Sequence, residues 1–305
     1  MADDPRRAGF VAVVGAPNAG KSTLVNQLVG AKVTIVTPKA QTTRARILAI
    51  CVEGDSQIVF VDTPGIFAPR RRLDRAMVAA AWTGAGDADE VVLVVDATAR
   101  VGEVIDRIVA GLRKAGRPAV LVLNKIDLIK REKLLGLASR FDAEGVFTDI
   151  FMVSALTGDG VADLRRTLAA RLPEGPWLYP EDQLSDINDR LFAAEITREQ
   201  LFLKLYQEVP YSLTVETEEW EEFRDGSVRV KQAILVERDT QRAIVLGKGG
   251  HTIKTIGAAA RAELEGHFGR KVHLLLEVLV RANWAEDPEH YDAIGLEYEP
   301  DRKRK

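Results

Sequence analysis

Gly15-Ala16-Pro17-Asn18-Ala19-Gly20-Lys21-Ser22 fits the pattern G-x-x-x-x-G-K-[ST] at every position. It follows Phe10-Val11-Ala12-Val13-Val14, an apolar run typical of a buried strand. It precedes Thr23-Leu24-Val25-Asn26-Gln27-Leu28-Val29, whose apolar residues recur at helical spacing. Strand, glycine loop and helix thus stand in the order that a phosphate cradle needs. Gly15 and Gly20 permit backbone angles and approaches that a Cβ would block, so successive N–H groups can converge on phosphate oxygens. Lys21 adds a point charge for β- and γ-phosphates, and Ser22 offers a hydroxyl to Mg²⁺ at a helix N-terminus whose dipole favours anions. Asn18, Ala19 and Thr23 complete the candidate contacts on the phosphate side.

Downstream, Lys32 to Arg46 is polar, threonine-rich and without a period, and reads as a long loop. Ile47 to Val52 and Gln57 to Asp62 flank a turn at Gly54 and read as a hairpin. Short apolar runs at 91–95, 119–123 and 146–153 alternate with helical patterns at 104–112, 132–141 and 161–172, the alternation of a doubly wound α/β domain. Sites in such a sheet are expected at the carboxyl ends of its strands.

A phosphate loop alone fits ATP or GTP, so the base must be read elsewhere. Asn124-Lys125-Ile126-Asp127 directly follows the strand 119–123. The Asp127 carboxylate can accept from both N1–H and the exocyclic amine of guanine, a donor pair that adenine lacks. Lys125 can lay its stem along the base and Asn124 can tie this loop to the phosphate loop, while Ser154-Ala155-Leu156 can turn backbone N–H groups toward the guanine oxygen. Asp62 ends a strand, as a carboxylate that holds Mg²⁺ through water must, and Gly65 can bring its N–H onto the γ-phosphate. Thr42 and Thr43 compete for the remaining Mg²⁺ position; the choice is Thr43, next to Arg44. The expected metal set is therefore Ser22, Thr43 and Asp62, and the expected catalytic set is Lys21, Thr43, Asp62 and Gly65.

Beyond the Pro/Gly-rich stretch 173–180 the pattern changes. A helix at 187–207, strands at 211–216 and 228–237, a short helix near 240–245, the loop Gly247-Lys248-Gly249-Gly250, a helix at 252–267 and a strand at 272–280 give the order α-β-β-α-α-β. The loop fits G-x-x-G, and Arg242, Lys248 and Lys254 cluster around it, as suits a clamp for a single-stranded nucleic-acid backbone. For Arg261 and Arg270 a solvated helix face remains open.

With 305 residues, 46% of them hydrophobic and 29% charged, the chain has material for about two folded cores. Its net charge of −3 argues against a global basic field, so any nucleic-acid surface must be local. No apolar run reaches the roughly 18 residues of a membrane span, and Met1-Ala2-Asp3-Asp4 does not open a signal peptide, so a cytoplasmic protein is expected. Cys51, the single cysteine, has no disulfide partner and reads as core filling. His251, His267, His273 and His290 lack metal-ligand spacing.

The nucleotide motifs resemble those of translation-factor-related GTPases, with Ile66 where Ras-like proteins carry a water-orienting glutamine. Within that class Asn18 resembles an asparagine that binds an activating K⁺; a loop-capping amide is the competing role. Together with Gly247-Lys248-Gly249-Gly250, the stretches Gln41-Thr42-Thr43-Arg44, Val236-Glu237-Arg238 and Ile253-Lys254-Thr255-Ile256-Gly257 resemble the Era family of bacterial ribosome-associated GTPases over about 10–284. The resemblance implies a P-loop GTPase domain at 9–173 and an α+β type II KH domain at 187–285, with a flexible tail at 1–8, a linker at 174–186 and a C-terminal tail at 286–305 ending in a frayed basic Arg302-Lys303-Arg304-Lys305. It implies GTP/GDP and Mg²⁺ as ligands, and Gly247, Lys248, Gly249, Gly250, Lys254 and Arg242 as RNA contacts. It further implies a monomer that binds the 3′ end of 16S rRNA, assists small-subunit assembly and touches the inner face of the cell membrane peripherally. A membrane or cell-division regulator is the alternative; against it, no long basic amphipathic helix is evident.

Overall fold

The apolar runs become strands because both faces of the sheet they build are covered. In a computed structural model, which describes residues 6–69, 71–206 and 208–298 and omits the side chains of 292 and 293, the chain divides into two units. Unit 1 comprises 1–34, 43–186 and 291–305; unit 2 comprises 35–42 and 187–290.

In unit 1 the chain runs β1 (Arg7–Gly15), α1 (Lys21–Val29), β2 (Ile47–Glu53), β3 (Ser56–Asp62), α2 (Arg72–Asp87), β4 (Glu90–Asp96), α3 (Glu103–Lys114), β5 (Ala119–Asn124), α4 (Arg131–Asp142), β6 (Phe147–Met152) and α5 (Val161–Arg171). The sheet order is β2-β3-β1-β4-β5-β6; only β2 pairs antiparallel, through the hairpin with β3. Alternate residues of each strand serve opposite faces. Val11, Val13, Val92, Val94 and Val120 pack with Leu24 and Leu28 of α1 and Leu164 and Leu168 of α5. Ala12, Val14, Leu93, Val95 and Leu121 pack with Ala81 of α2, Ile108 and Leu112 of α3, and Phe141 of α4. Cys51 lies in the first of these cores, where burial pushes its thiol up to about 12.

In unit 2 the elements are α6 (Asp189–Lys204), β7 (Leu213–Glu222), β8 (Val228–Val236), α7 (Asp239–Leu246), α8 (His251–Phe268) and β9 (Val272–Val280); α9 (Pro288–Ala293) follows in the chain. β8 is central, antiparallel to β7 and parallel to β9, and the β8–β9 crossover carries α7 and α8. Asn188 caps α6 by accepting the Leu191 N–H at 2.9 Å. This is the expected α-β-β-α-α-β order of a KH fold, and it follows the expected doubly wound domain.

The differences from the sequence reading have local causes. β7 runs to Glu222, beyond 216, because its acidic end is paired across the sheet: Lys231 lies 3.0 Å from Glu218 and Arg229 2.7 Å from Glu221. α2, which the periodicity does not announce, buries a stripe of mostly small residues, Met77, Ala81, Gly84 and Ala85. Residues 174–186, read as a linker, lie along β2 and β3. Ile50 N–H donates to Leu184 O at 2.8 Å, and the Gln57 amide oxygen accepts from Leu178 and Tyr179 N–H at 2.8 and 2.9 Å. Arg7 and Ala8, assigned to a flexible tail, are the first residues of β1, and 1–5 lie outside the described residues. In the segment read as a C-terminal tail, Tyr291 and Leu296 are buried, whereas 299–305, with the expected frayed end, are also outside the described residues.

Residues 35–42 count with unit 2 because α6 supplies what they need. Val36 N–H donates to Glu199 Oε1 at 2.7 Å, Lys39 Nζ to Leu205 O at 2.8 Å, and Arg198 to Thr42 O at 2.5 Å. Ile35 joins the Phe192, Ala193 and Ile196 core. That explains why Arg198 and Glu199 are buried on a helix although they are charged, with Glu195 buried beside them as the ion-pair partner of Arg198.

Candidate functional site

The phosphate loop leaves β1 and enters α1 through two glycines whose backbones no other residue would adopt freely. Gly20, with φ +91°, caps α1, and a Cβ there would collide with the Asn124 amide; at Gly15, with φ +154°, it would collide with the Val94 carbonyl. Gly65 packs against the same loop, since a Cβ on it would lie 2.9 Å from Pro17 N. Ala19 is buried, and Thr23 lies half-buried in the first turn of α1. Asn18 has φ +61°, a conformation asparagine tolerates better than most residues, which supplies a backbone reason for it.

Lys21 is buried in the first turn of α1, its ammonium donating to Gly15 O at 3.3 Å and Ala16 O at 3.1 Å. Burial lowers its pKa from 10.5 to about 8, against the pull of Asp62. A cation that bonds only to loop carbonyls is one that incoming phosphate oxygens would stabilise.

Three elements bring oxygens to one point. Ser22 Oγ, from α1, donates to Asp62 Oδ2 at 2.8 Å and lies 2.9 Å from Thr43 Oγ1, which is itself 3.4 Å from Asp62 Oδ2. Thr34 Oγ1 donates to the same carboxylate oxygen at 3.0 Å. Asp62 is fully buried and its Oδ1 has no hydrogen-bond partner among the described residues; burial pushes its pKa up, opposed by Lys21 and the three hydroxyls. A buried carboxylate oxygen left unmatched among hard oxygen donors fits a divalent cation with retained water, so Ser22, Thr43 and Asp62 could hold Mg²⁺. The hydroxyl of Thr42 is elsewhere, 2.6 Å from that of Thr37 and donating to Lys39 O. Ile66 is buried in the core and its N–H donates to Gly15 O at 3.0 Å, so its side chain does not face the phosphate site.

On the base side Asn124 is the joint. Its Nδ2 donates to Ala19 O at 2.9 Å, while Oδ1 accepts from Lys125 N–H at 2.8 Å and Ala155 N–H at 2.9 Å, so one amide ties the phosphate loop, β5 and the Ser154 loop together. Lys125, with φ +66°, reaches back to Asn18 O at 2.9 Å. Asp127 is exposed in the turn 126–128, free to meet a base edge. The Ser154 loop differs from expectation. Ser154 N–H goes to Asp159 O and Ala155 N–H to Asn124, which leaves the N–H of the exposed Leu156 for a base oxygen.

In unit 2, Gly247, Gly249 and Gly250 have φ of +70°, +61° and +75°, and the turn Lys248–Gly250 delivers the chain to the N-terminus of α8. A Cβ at Gly247 would collide with Thr252, whereas Gly249 and Gly250 face open space, so their lack of side chains leaves the helix N-terminus bare. Arg242, Lys248 and Lys254 are exposed around it.

Two contributors escape the sequence reading. Thr34 lies inside the threonine-rich loop, where nothing in the residue pattern distinguishes it from its neighbours; Asp96, 2.6 Å from Lys125 Nζ, ends β4 as Asp62 ends β3. A carboxylate at a strand's carboxyl end was the available signal.

Comparison with known proteins agrees with both halves. Residues 10–125 match a family described as 50S ribosome-binding GTPase, and 208–285 match the KH domain. GTPase Era of Afipia carboxidovorans is 61% identical over 294 residues, covering 96% of each chain, and that of Maricaulis maris is 52% identical over 313 residues, covering 98% of this chain and all of its own. Two solved structures, an Aquifex aeolicus Era variant bound to GDP·AlF₄⁻ and Era in complex with MgGDPNP and nucleotides 1506–1542 of 16S ribosomal RNA, each superpose with a TM-score of 0.90. Both are 38% identical and cover 95% of this chain and 99% of their own. Identity of 61% over nearly the whole chain, with the GTPase and KH family models matched in the same order, shows that the chain belongs to the Era GTPases.

Proposed function

We propose that the chain is a Mg²⁺-dependent switch that hydrolyses GTP and, through its KH domain, binds the 3′ region of 16S rRNA and assists maturation of the small ribosomal subunit. The nucleotide half rests on the oxygens of Ser22, Thr43 and Asp62 converging beside Lys21. Lys21 and the loop N–H groups would take the β- and γ-phosphates, Gly65 N–H would face the γ-phosphate, and Asp127 would read guanine. Mg²⁺, when bound, neutralises charge between the β- and γ-phosphoryl oxygens. With Ile66 in the core, some group other than residue 66 must orient the attacking water. The exposed carboxamide of Asn18 is the group that would take an activating K⁺, the competing role being the backbone turn that its positive φ supports.

The observation that carries the RNA half is the bare α8 N-terminus behind Gly249 and Gly250, flanked by exposed Lys248 and Lys254, where N–H groups and helix dipole favour a phosphate backbone. A solved Era structure holds nucleotides 1506–1542 of 16S rRNA. The test is binding of an RNA of that sequence to the wild type and to the double variant Lys248→Asp, Gly249→Asp. Two carboxylates against the phosphates should weaken binding at least tenfold, about 1.4 kcal/mol, and leave GTP hydrolysis unchanged. A correctly folded double variant with full RNA affinity refutes the assignment.

A further inference from the structure

The ammonium of Lys125 is held from two sides. It donates to Asn18 O at 2.9 Å and lies 2.6 Å from Asp96 Oδ2. Asp96, the last residue of β4, is paired in register with Asn124 on β5, and Ala97 N–H donates to Asn124 O at 2.9 Å, so the two strand ends move as one. The other carboxylate oxygen of Asp96 is occupied too, accepting Thr98 N–H at 2.8 Å and the Thr98 hydroxyl at 2.6 Å. The carboxylate therefore has one orientation available. Burial pushes its pKa up, but the hydrogen bonds from Lys125 and Thr98 outweigh burial and hold it below the usual carboxylate range.

We propose that Asp96 is a positioning residue for the guanine nucleotide and sets its residence time, by fixing the Lys125 ammonium so that the methylene stem of that lysine stays in place as the cover over the base. The inference rests on the nucleotide reading above. A lysine stem has four rotatable bonds and is mobile unless both ends are tied. Here the backbone end is tied by the left-handed conformation of Lys125 and the bond of its N–H to Asn124, and the ammonium end by Asp96 and Asn18. A cover already ordered before the base arrives costs less to place, and loss of that order shows chiefly as faster dissociation. The ion pair is not sealed: a cleft of about 390 Å³ lined by Asn18, Asp96, Ala99, Arg100 and Glu103 borders it.

The test is the dissociation rate of fluorescent GDP from the wild type, Asp96→Asn, Lys125→Met and the double variant, with the affinity for inorganic pyrophosphate measured alongside. Asp96→Asn should release GDP about tenfold faster, a change of about 1.4 kcal/mol, with pyrophosphate affinity unchanged because the phosphate side is untouched. On the Lys125→Met background the same substitution should have no further effect. An unchanged rate in Asp96→Asn, an equal effect on both backgrounds, or a parallel loss of pyrophosphate binding each overturns the proposal. Should Asp96→Asn not fold, Thr98→Ala, which frees one carboxylate oxygen, must show a smaller acceleration of the same sign; no acceleration overturns it equally. Failure of the wild type to bind GDP would instead count against the nucleotide reading.

Discussion

Raising the pH from 7 to 9 should weaken GDP binding by an amount that the burial of Lys21 fixes. In the empty site its ammonium is bonded only to two loop carbonyls, and burial brings its pKa to about 8. Phosphate oxygens beside it favour the charged form and raise that pKa, so proton uptake is linked to binding. The affinity is then fully present below about pH 8 and declines as pH rises through that value. For one coupled proton the dissociation constant grows as 1 + 10^(pH−pKa), about tenfold between the two pH values, or roughly 1.4 kcal/mol. Equilibrium titration with fluorescent GDP at constant ionic strength measures it. Lys21→Arg is the control, because a guanidinium does not titrate in this range; its weaker binding should be nearly flat. A flat profile for the wild type, or the same slope in the arginine variant, would refute the reasoning. The folding stability of the empty protein has the opposite sign. Between about 8 and 10.5 the unfolded lysine binds more protons than the folded one, so this group's contribution makes the fold more stable as pH rises there.

Two further substitutions test neighbouring groups. Asp62 has a raised pKa in the empty site, and such a carboxylate stabilises the fold below its unfolded pKa of 3.8 and loses that contribution as pH rises through the folded value. Asp62→Asn should therefore raise the melting temperature of the nucleotide-free protein at neutral pH while lowering Mg²⁺-dependent GTP hydrolysis by about a hundredfold or more, some 2.7 kcal/mol; a lower melting temperature together with intact hydrolysis contradicts both roles. Asp127→Asn should weaken GTP by roughly a hundredfold, since two hydrogen bonds to a charged acceptor are lost, and should shift preference to XTP in a competition assay. Unchanged guanine preference would mean that another group reads the base.

The runs 15–22, 124–127 and 247–250 are legible in the sequence because each is contiguous and its residue types follow from a local backbone demand. Gly15, Gly20, Gly247, Gly249 and Gly250 all have φ in the region that favours glycine, and Asn18 and Lys125 carry the two non-glycine exceptions within these runs. The sheets are legible for a related reason: strands buried on both faces must be apolar at every position, as Val11 to Val14 and Leu121 to Leu123 are.

Tertiary structure decided what depends on partners far apart in the chain. Which threonine meets Asp62 was one such matter: Thr34 and Thr43 do, while Thr42 turns to Thr37 and Lys39. Threonine is common in loops, and only the path of the chain distinguishes these three. The same holds for 35–42, which a sequence reader assigns to the unit on either side of it, yet whose backbone groups are satisfied by Arg198 and Glu199 of α6, and for 174–186, whose lack of periodicity reads as a linker although its amides are bonded along β2 and β3. Asp96 is the sharpest case. Its place at a strand's carboxyl end is the sequence's signal, but it becomes a partner of Lys125 only because parallel pairing of β4 with β5 sets Asp96 beside Asn124, one residue short of the lysine it holds.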